Sequence, residues 1–261
     1  MNNLFDIACN FSSDRFDKDL DLVIERAQIS GVNKFLLVSA SLTDFNKIYK
    51  IYNNNSANSF YSIGVHPHHA NEININENKK MKDMISKYSP SCIGETGLDF
   101  FRNLSTYEEQ IYAFEEQIKL AIEFNKPLYL HQRDSHEDFI KIINKYKNSL
   151  PKCVVHCFTG TQSELDDYLD LDFYIGLTGW ICDERRNVEL RQSIKNIPLN
   201  KLMIETDCPY LIPRNLENKP KNNRNEPSFL PHIAEEISSL MDIELNKFTE
   251  ATYSNSIDFF S

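Results

Sequence analysis

The chain has 261 residues, 25% of them charged and 41% hydrophobic, and a net charge of −10. This is the composition of an ordinary globular enzyme, and no apolar stretch approaches the roughly 20 residues that span a bilayer. The acidic balance argues against a protein that coats nucleic acid by bulk electrostatics. It leaves room for an enzyme acting on one strand end, where divalent ions and a few Arg or Lys residues supply the positive field.

Taken in chain order, apolar strand-like runs alternate with amphipathic helical stretches. Leu4–Cys9 reads as a first strand, followed by a helix over about 17–30. A second strand is predicted at 34–40, with a helix from about Thr43, and third and fourth strands at 60–65 and 91–95, separated by a helical 79–87. Thr106-Tyr107-Glu108-Glu109 has the form of a capping box and opens the best helix, which runs to about Phe124. Strands at 128–131, 154–156, 173–176 and 202–206 complete eight candidates, with helical segments between them. Eight alternating units predict an α/β fold, a (β/α)8 TIM barrel of the metal-dependent hydrolase type, as one domain over 1–261. The polar, Pro-containing stretch from Pro209 to Pro231 is too long for an ordinary connection, and such loops usually shape a site. The N-terminus lacks a basic and then apolar leader, so a cytoplasmic location is expected. The six scattered cysteines agree with that, since no pair has C-x-x-C spacing and no disulfide framework is suggested.

Four of the runs stop on a metal-type ligand: Ser91-Cys92-Ile93-Gly94-Glu95, Leu128-Tyr129-Leu130-His131, Cys153-Val154-Val155-His156 and Leu202-Met203-Ile204-Glu205-Thr206-Asp207. In an α/β barrel the active site lies at the C-terminal ends of the strands, where residues far apart in sequence converge. Glu95, His131 and His156 form the expected metal set, one carboxylate and two imidazoles with positions left open for water and substrate. A single strand-end His is more often a hydrogen-bonded core residue; three strand ends of one character favour ligands. Asp207 is the candidate catalytic base, orienting a water and taking its proton, with two alternatives: ligation of a possible second metal, or capping of the next turn.

His66, in Gly64-Val65-His66-Pro67-His68-His69, is placed to face the rim as a second catalytic candidate, a phosphate or leaving-group contact. His68 and His69 read as loop surface. Arg102, Arg133, Arg185, Arg186, Arg214 and Arg224 all follow strands, where a guanidinium either clamps a phosphate or makes a structural ion pair. Arg133, Arg185 and Arg224 are the substrate-binding candidates among them. Trp180 and Tyr210 join them, with base stacking and packing between loops both open.

At this point several segments resemble the TatD family of metal-dependent deoxyribonucleases. They are Gly64-Val65-His66-Pro67-His68, Ile93-Gly94-Glu95-Thr96-Gly97-Leu98-Asp99-Phe100, His131-Gln132-Arg133-Asp134, His156-Cys157-Phe158-Thr159-Gly160 and Glu205-Thr206-Asp207-Cys208-Pro209-Tyr210-Leu211. Asp6-Ile7-Ala8-Cys9-Asn10, the segment from Gly179 to Arg186, and Arg224-Asn225-Glu226-Pro227 resemble the subgroup after which the family is named. The resemblance implies an amidohydrolase-like barrel with cytoplasmic, metal-dependent 3′–5′ exonuclease activity. Its substrates would be 3′ ends of single-stranded DNA or RNA, and its ion usually Mg2+. Mixed His and carboxylate ligation also suits Mn2+ or Zn2+. One departure stands out: most relatives carry a His-x-His pair where this chain has Ala8 and Asn10. The subgroup shares that loss, so one firm metal rather than two is expected. A monomer without a membrane partner is the simplest expectation. Two rival readings are a small-molecule amidohydrolase, since one barrel serves many reactions, and a non-catalytic quality-control scaffold, prompted by Ala8 and Asn10.

Overall fold

The computed structural model describes residues 3–185 and 187–261. Eight strands lie parallel in one sheet in sequence order: β1 (Leu4–Cys9), β2 (Val32–Leu37), β3 (Ser59–Ile63), β4 (Cys92–Asp99), β5 (Leu128–Arg133), β6 (Cys153–Val155), β7 (Tyr174–Leu177) and β8 (Leu202–Ile204). Around them run α1 (Leu20–Ile29), α2 (Phe45–Asn54), α3 (Ile75–Tyr88), α4 (Tyr107–Phe124), α5 (His136–Tyr146), α6 (Gln162–Asp170), α7 (Val188–Ser193), α8 (Leu230–Leu240) and α9 (Leu245–Phe260). The seam between β1 and β8 is held by a parallel bridge between Cys9 and Cys208, and by the buried Asp6 carboxylate, which accepts the Thr206 N–H at 2.9 Å and the Thr206 hydroxyl. The result is the nearly closed (β/α)8 barrel that the sequence predicts. Among the described residues, no helix is long and apolar enough to cross a membrane.

Side chains alternate between two faces of each strand. Phe5, Ile7, Leu36, Cys92, Tyr129, Val154 and Met203 share the inner cluster, while their neighbours Leu4, Leu37, Ile93, Leu130, Val155 and Ile204 pack outward against the helices. Phe260 of α9 joins that inner cluster against Phe5 and Phe60, and Phe259 packs beside it on Tyr174. Both α8 and α9 lie beyond the eight predicted strand units. Period two then carries inward-facing positions up to the mouth: His131 follows Tyr129, His156 follows Val154, and Glu205 follows Met203, each by one alternation.

Glu95 breaks that parity, and the structure shows how. Ile93 pairs with Leu128 but Thr96 pairs with Leu130, so β4 carries one extra residue, a β-bulge. Gly94 sits in it at φ +147°, where a Cβ would lie 2.3 Å from the Tyr129 carbonyl oxygen. Only glycine fits there, and the added residue turns Glu95 into the mouth instead of toward the helices.

The capping box at Thr106 is present with both of its reciprocal bonds, and α4 runs to Phe124 as predicted. Its buried face carries two glutamines that act as strand edges. Gln117 accepts the Val65 N–H at 2.8 Å and donates to the Val65 carbonyl at 2.9 Å; Gln110 accepts the Asp99 N–H at 2.8 Å and donates to the Asp99 carbonyl at 3.2 Å. One helix thus fixes the backbone on which His66 and Asp99 stand.

Candidate active site

Three ligand atoms converge at the barrel mouth. Glu95 Oε1 lies 2.9 Å from His131 Nδ1 and 2.7 Å from His156 Nε2, and the two imidazole nitrogens are 3.4 Å apart. An ion holding ligands at about 2.0–2.2 Å leaves neighbouring ligand atoms roughly 3 Å apart, so the trio fits one divalent metal. His66, Glu95 and His131 also offer ligand atoms within 4.8 Å of one another, with His66 Nε2 3.2 Å from Glu95 Oε1. The tautomer separates the two sets. His66 Nδ1 accepts the His68 N–H at 3.0 Å, so its neutral ring carries the proton on Nε2 and turns a donor, not a lone pair, toward the site. Burial pushes the His66 imidazole down to about 4, which keeps the ring neutral.

Each of the two histidines is backed by a carboxylate. His131 Nε2 faces Asp99 Oδ2 at 3.4 Å, and His156 Nδ1 faces Glu205 Oε1 at 3.4 Å. Such outer carboxylates fix ring orientation and raise ligand basicity. Glu205 is fully buried and also accepts the Tyr129 phenol at 3.1 Å and the Cys157 N–H; the Tyr129 ring stacks on His156 at 4.8 Å between centroids. Asp99 accepts His68 Nε2 at 2.8 Å and the N–H groups of Phe101 and Arg102 at 3.0 and 2.9 Å. His68 is therefore a partner of the site and not the loop-surface residue expected from sequence, because the 3-10 turn after Val65 folds it back over Asp99. His69 does face outward, paired with Glu72. Sequence reasoning overlooked both outer carboxylates, although Glu205 lay in a run already singled out and shares parity with Met203.

The electrostatics follow from this packing. Burial works to raise the Glu95 carboxyl, but His156 and His66 beside it and the hydrogen bonds from His131 and His156 hold it well below the ordinary value. Burial would lower His156, yet Glu95 and Glu205 raise it well above a free imidazole. Asp207 is pushed up to about 7, first by burial, with Glu95 and Glu205 adding to the rise and His156 opposing it. It sits at φ +55° just beyond β8, and its Oδ1 accepts the Asn10 amide at 2.9 Å. Asn10 also donates to the Cys208 carbonyl at 3.1 Å, and Ala8 is buried in the inner cluster. Where relatives are expected to carry an imidazole pair, this chain uses one residue to fill the core and the other to orient Asp207.

The remaining candidates are scattered over the loops. Arg133 stacks its guanidinium 3.8 Å above the Phe101 ring. Tyr210 is 53% exposed, and Trp180 lies half-buried in the 3-10 turn Gly179–Cys182. Arg224 is buried and bound to Asp19 and Glu226 at 2.7 Å, and Arg185 forks onto Asp183 at 2.8 Å, so carboxylates already occupy these two guanidinia. Arg214 approaches the same Asp183 at 3.7 Å. Arg186 lies outside the described residues.

A (β/α)8 barrel with two carboxylate-backed imidazoles and a glutamate at its mouth defines a metal-dependent hydrolase. The profile of the family described as TatD related DNase matches residues 5–261. The chain is 40% identical over 257 residues to "3'-5' ssDNA/RNA exonuclease TatD" of Edwardsiella piscicida, covering 98% of this chain and 99% of that one. It is 41% identical over 236 residues to the protein of the same name from Pantoea ananatis (strain LMG 20103), covering 90% and 91%. The crystal structure of a hydrolase TatD family protein from Entamoeba histolytica superposes with a TM-score of 0.90 at 30% identity, covering 100% of this chain and 99% of that one. The chain belongs to the TatD family of DNases.

Proposed function

We propose that this protein is a metal-dependent 3′–5′ exonuclease acting on single-stranded DNA and RNA. The observation that carries the reading is the convergence of Glu95 Oε1, His131 Nδ1 and His156 Nε2 within 3.4 Å of one another, in a chain 40% identical over nearly its full length to a relative of that name.

Glu95, His131 and His156 would hold the ion, most simply Mg2+, with Mn2+ or Zn2+ compatible with the same donors. When bound, it supplies positive charge at the phosphoryl group and a water of lowered pKa. Asp207, its Oδ1 fixed by Asn10, turns its other oxygen to the attacking water and takes its proton. His66 donates Nε2–H to a non-bridging phosphate oxygen as charge builds there. Asp99 and Glu205 hold His131 and His156 in the required orientation. With Ala8 apolar and Asn10 committed to Asp207, we read one firm metal position rather than two. Six free cysteines agree with a reducing, cytoplasmic location, and a self-contained barrel agrees with a monomer.

The test is cleavage of 3′-labelled and 5′-labelled single-stranded oligonucleotides, DNA and RNA in parallel, across a divalent-metal titration. Shortening from the 3′ end that needs both metal and Asp207 is the expected result. Absence of cleavage with every ion, in folded protein, would overturn the reading and bring the amidohydrolase and scaffold alternatives forward.

A further inference from the structure

Phe101 is 57% exposed and Leu104, in the same loop, is 62% exposed. Solvent-facing aromatics on a site rim are worth explaining when their backbone is tied to the site, and this one is: the Phe101 N–H donates to Asp99, which backs His131. The ring does not stand alone, because the Arg133 guanidinium lies 3.8 Å from its centroid. Most guanidinia of the described residues are committed to carboxylates. The chain has 38 acidic against 28 basic residues, and Arg26, Arg185, Arg191, Arg214 and Arg224 all pair with carboxylates. Among the described residues Arg133 has no carboxylate partner and rests on the ring alone.

The register positions the pair relative to the metal ligands. Gly97 pairs with His131 and Asp99 with Arg133 without interruption, so His131 and Arg133 point to the same side of β5. At about 3.3 Å per residue, Arg133 stands roughly 6.6 Å further out along the strand than His131. A guanidinium with unclaimed edge donors can bind a phosphate oxygen, and an aromatic ring backed by a cation offers a π-face to any base.

We propose that Phe101, backed by Arg133, is the base-stacking platform that receives a nucleobase of the bound single strand while the scissile phosphodiester lies among Glu95, His131 and His156. This rests on the nuclease reading above. It makes Phe101 a substrate-binding residue, recognising the base plane and therefore indifferent to base identity.

The experiment measures Kd, KM and kcat for wild type, Phe101→Ala, Phe101→Leu and Phe101→Trp, on a single-stranded oligonucleotide and on the same strand made abasic at its 3′ end. Phe101→Ala and Phe101→Leu should each weaken Kd and raise KM for the intact strand by about tenfold, the order of one lost base stack, with kcat little changed. Phe101→Trp should restore wild-type binding, and all four proteins should treat the abasic strand alike. If wild type cleaves the intact strand and both small variants bind it as tightly, the platform is overturned while the nuclease reading stands. If wild type neither binds nor cleaves any strand, both fall together. Thermal melts of the variants separate lost stacking from lost folding.

Discussion

Glu205 and His156 face each other at 3.4 Å, carboxylate Oε1 to imidazole Nδ1, on the side of the ring opposite Glu95. Nδ1 is buried with no better partner, so the carboxylate decides which nitrogen keeps the proton and which is free to ligate. Glu205→Gln should weaken metal binding by about 10–100-fold, the usual cost of losing such a partner. The amide oxygen can keep the Cys157 N–H while its NH2 donates to the Tyr129 hydroxyl, so the fold should persist. Asp99→Asn should act likewise through His131. Metal titration followed by calorimetry, with circular dichroism for the fold, checks both; unaltered affinity in each variant would remove the outer carboxylates from the site.

Metal binding should release protons. In the metal-free protein His156 is held above its ordinary value by Glu95 and Glu205, so near neutral pH it carries protons that an ion must displace. Affinity therefore rises as pH rises through the His156 transition and falls below it. Calorimetric titrations in buffers of different ionisation enthalpy measure the number released. A pH-independent affinity with no proton release would contradict the assigned ligands.

Asp207 and Glu95 should fail in different ways. Asp207→Asn removes the base but leaves the ligand trio, so turnover should drop by about 10²–10⁴-fold with metal affinity largely kept. Glu95→Ala removes the ligand atom that both imidazoles approach, so metal and turnover should be lost together. Should Asp207→Asn abolish metal binding as well, Asp207 is a ligand rather than a base.

Gln117 is fully buried, and both its amide ends are spent on Val65. Gln117→Leu would leave the Val65 N–H and carbonyl without their partner at a cost of about 1–3 kcal/mol each. The expected result is a lower Tm and, in the residual folded protein, an oligonucleotide KM raised through displacement of His66. A Tm equal to wild type would show that Val65 does not depend on the helix.

Local patterning was enough to read much of this protein. Eight apolar runs alternating with amphipathic stretches imply the barrel because each run has to bury both faces, and Thr106 with Glu109 announces α4 because a capping box is a four-residue device. His131 and His156, each closing an apolar run, were legible for the same reason, since period two carries them inward from Tyr129 and Val154. Contacts across the sequence were decided only by the tertiary structure. The bulge that turns Glu95 inward exists because β4 must keep register with β5 beside a glycine too crowded for any Cβ, and neither strand alone encodes that pairing. His68 over Asp99, Glu205 behind His156, and Asn10 on Asp207 each join residues that meet only once separate strands assemble, the last of them only when the β1–β8 seam closes, which is why the chain's own order showed the ligands and not what holds them.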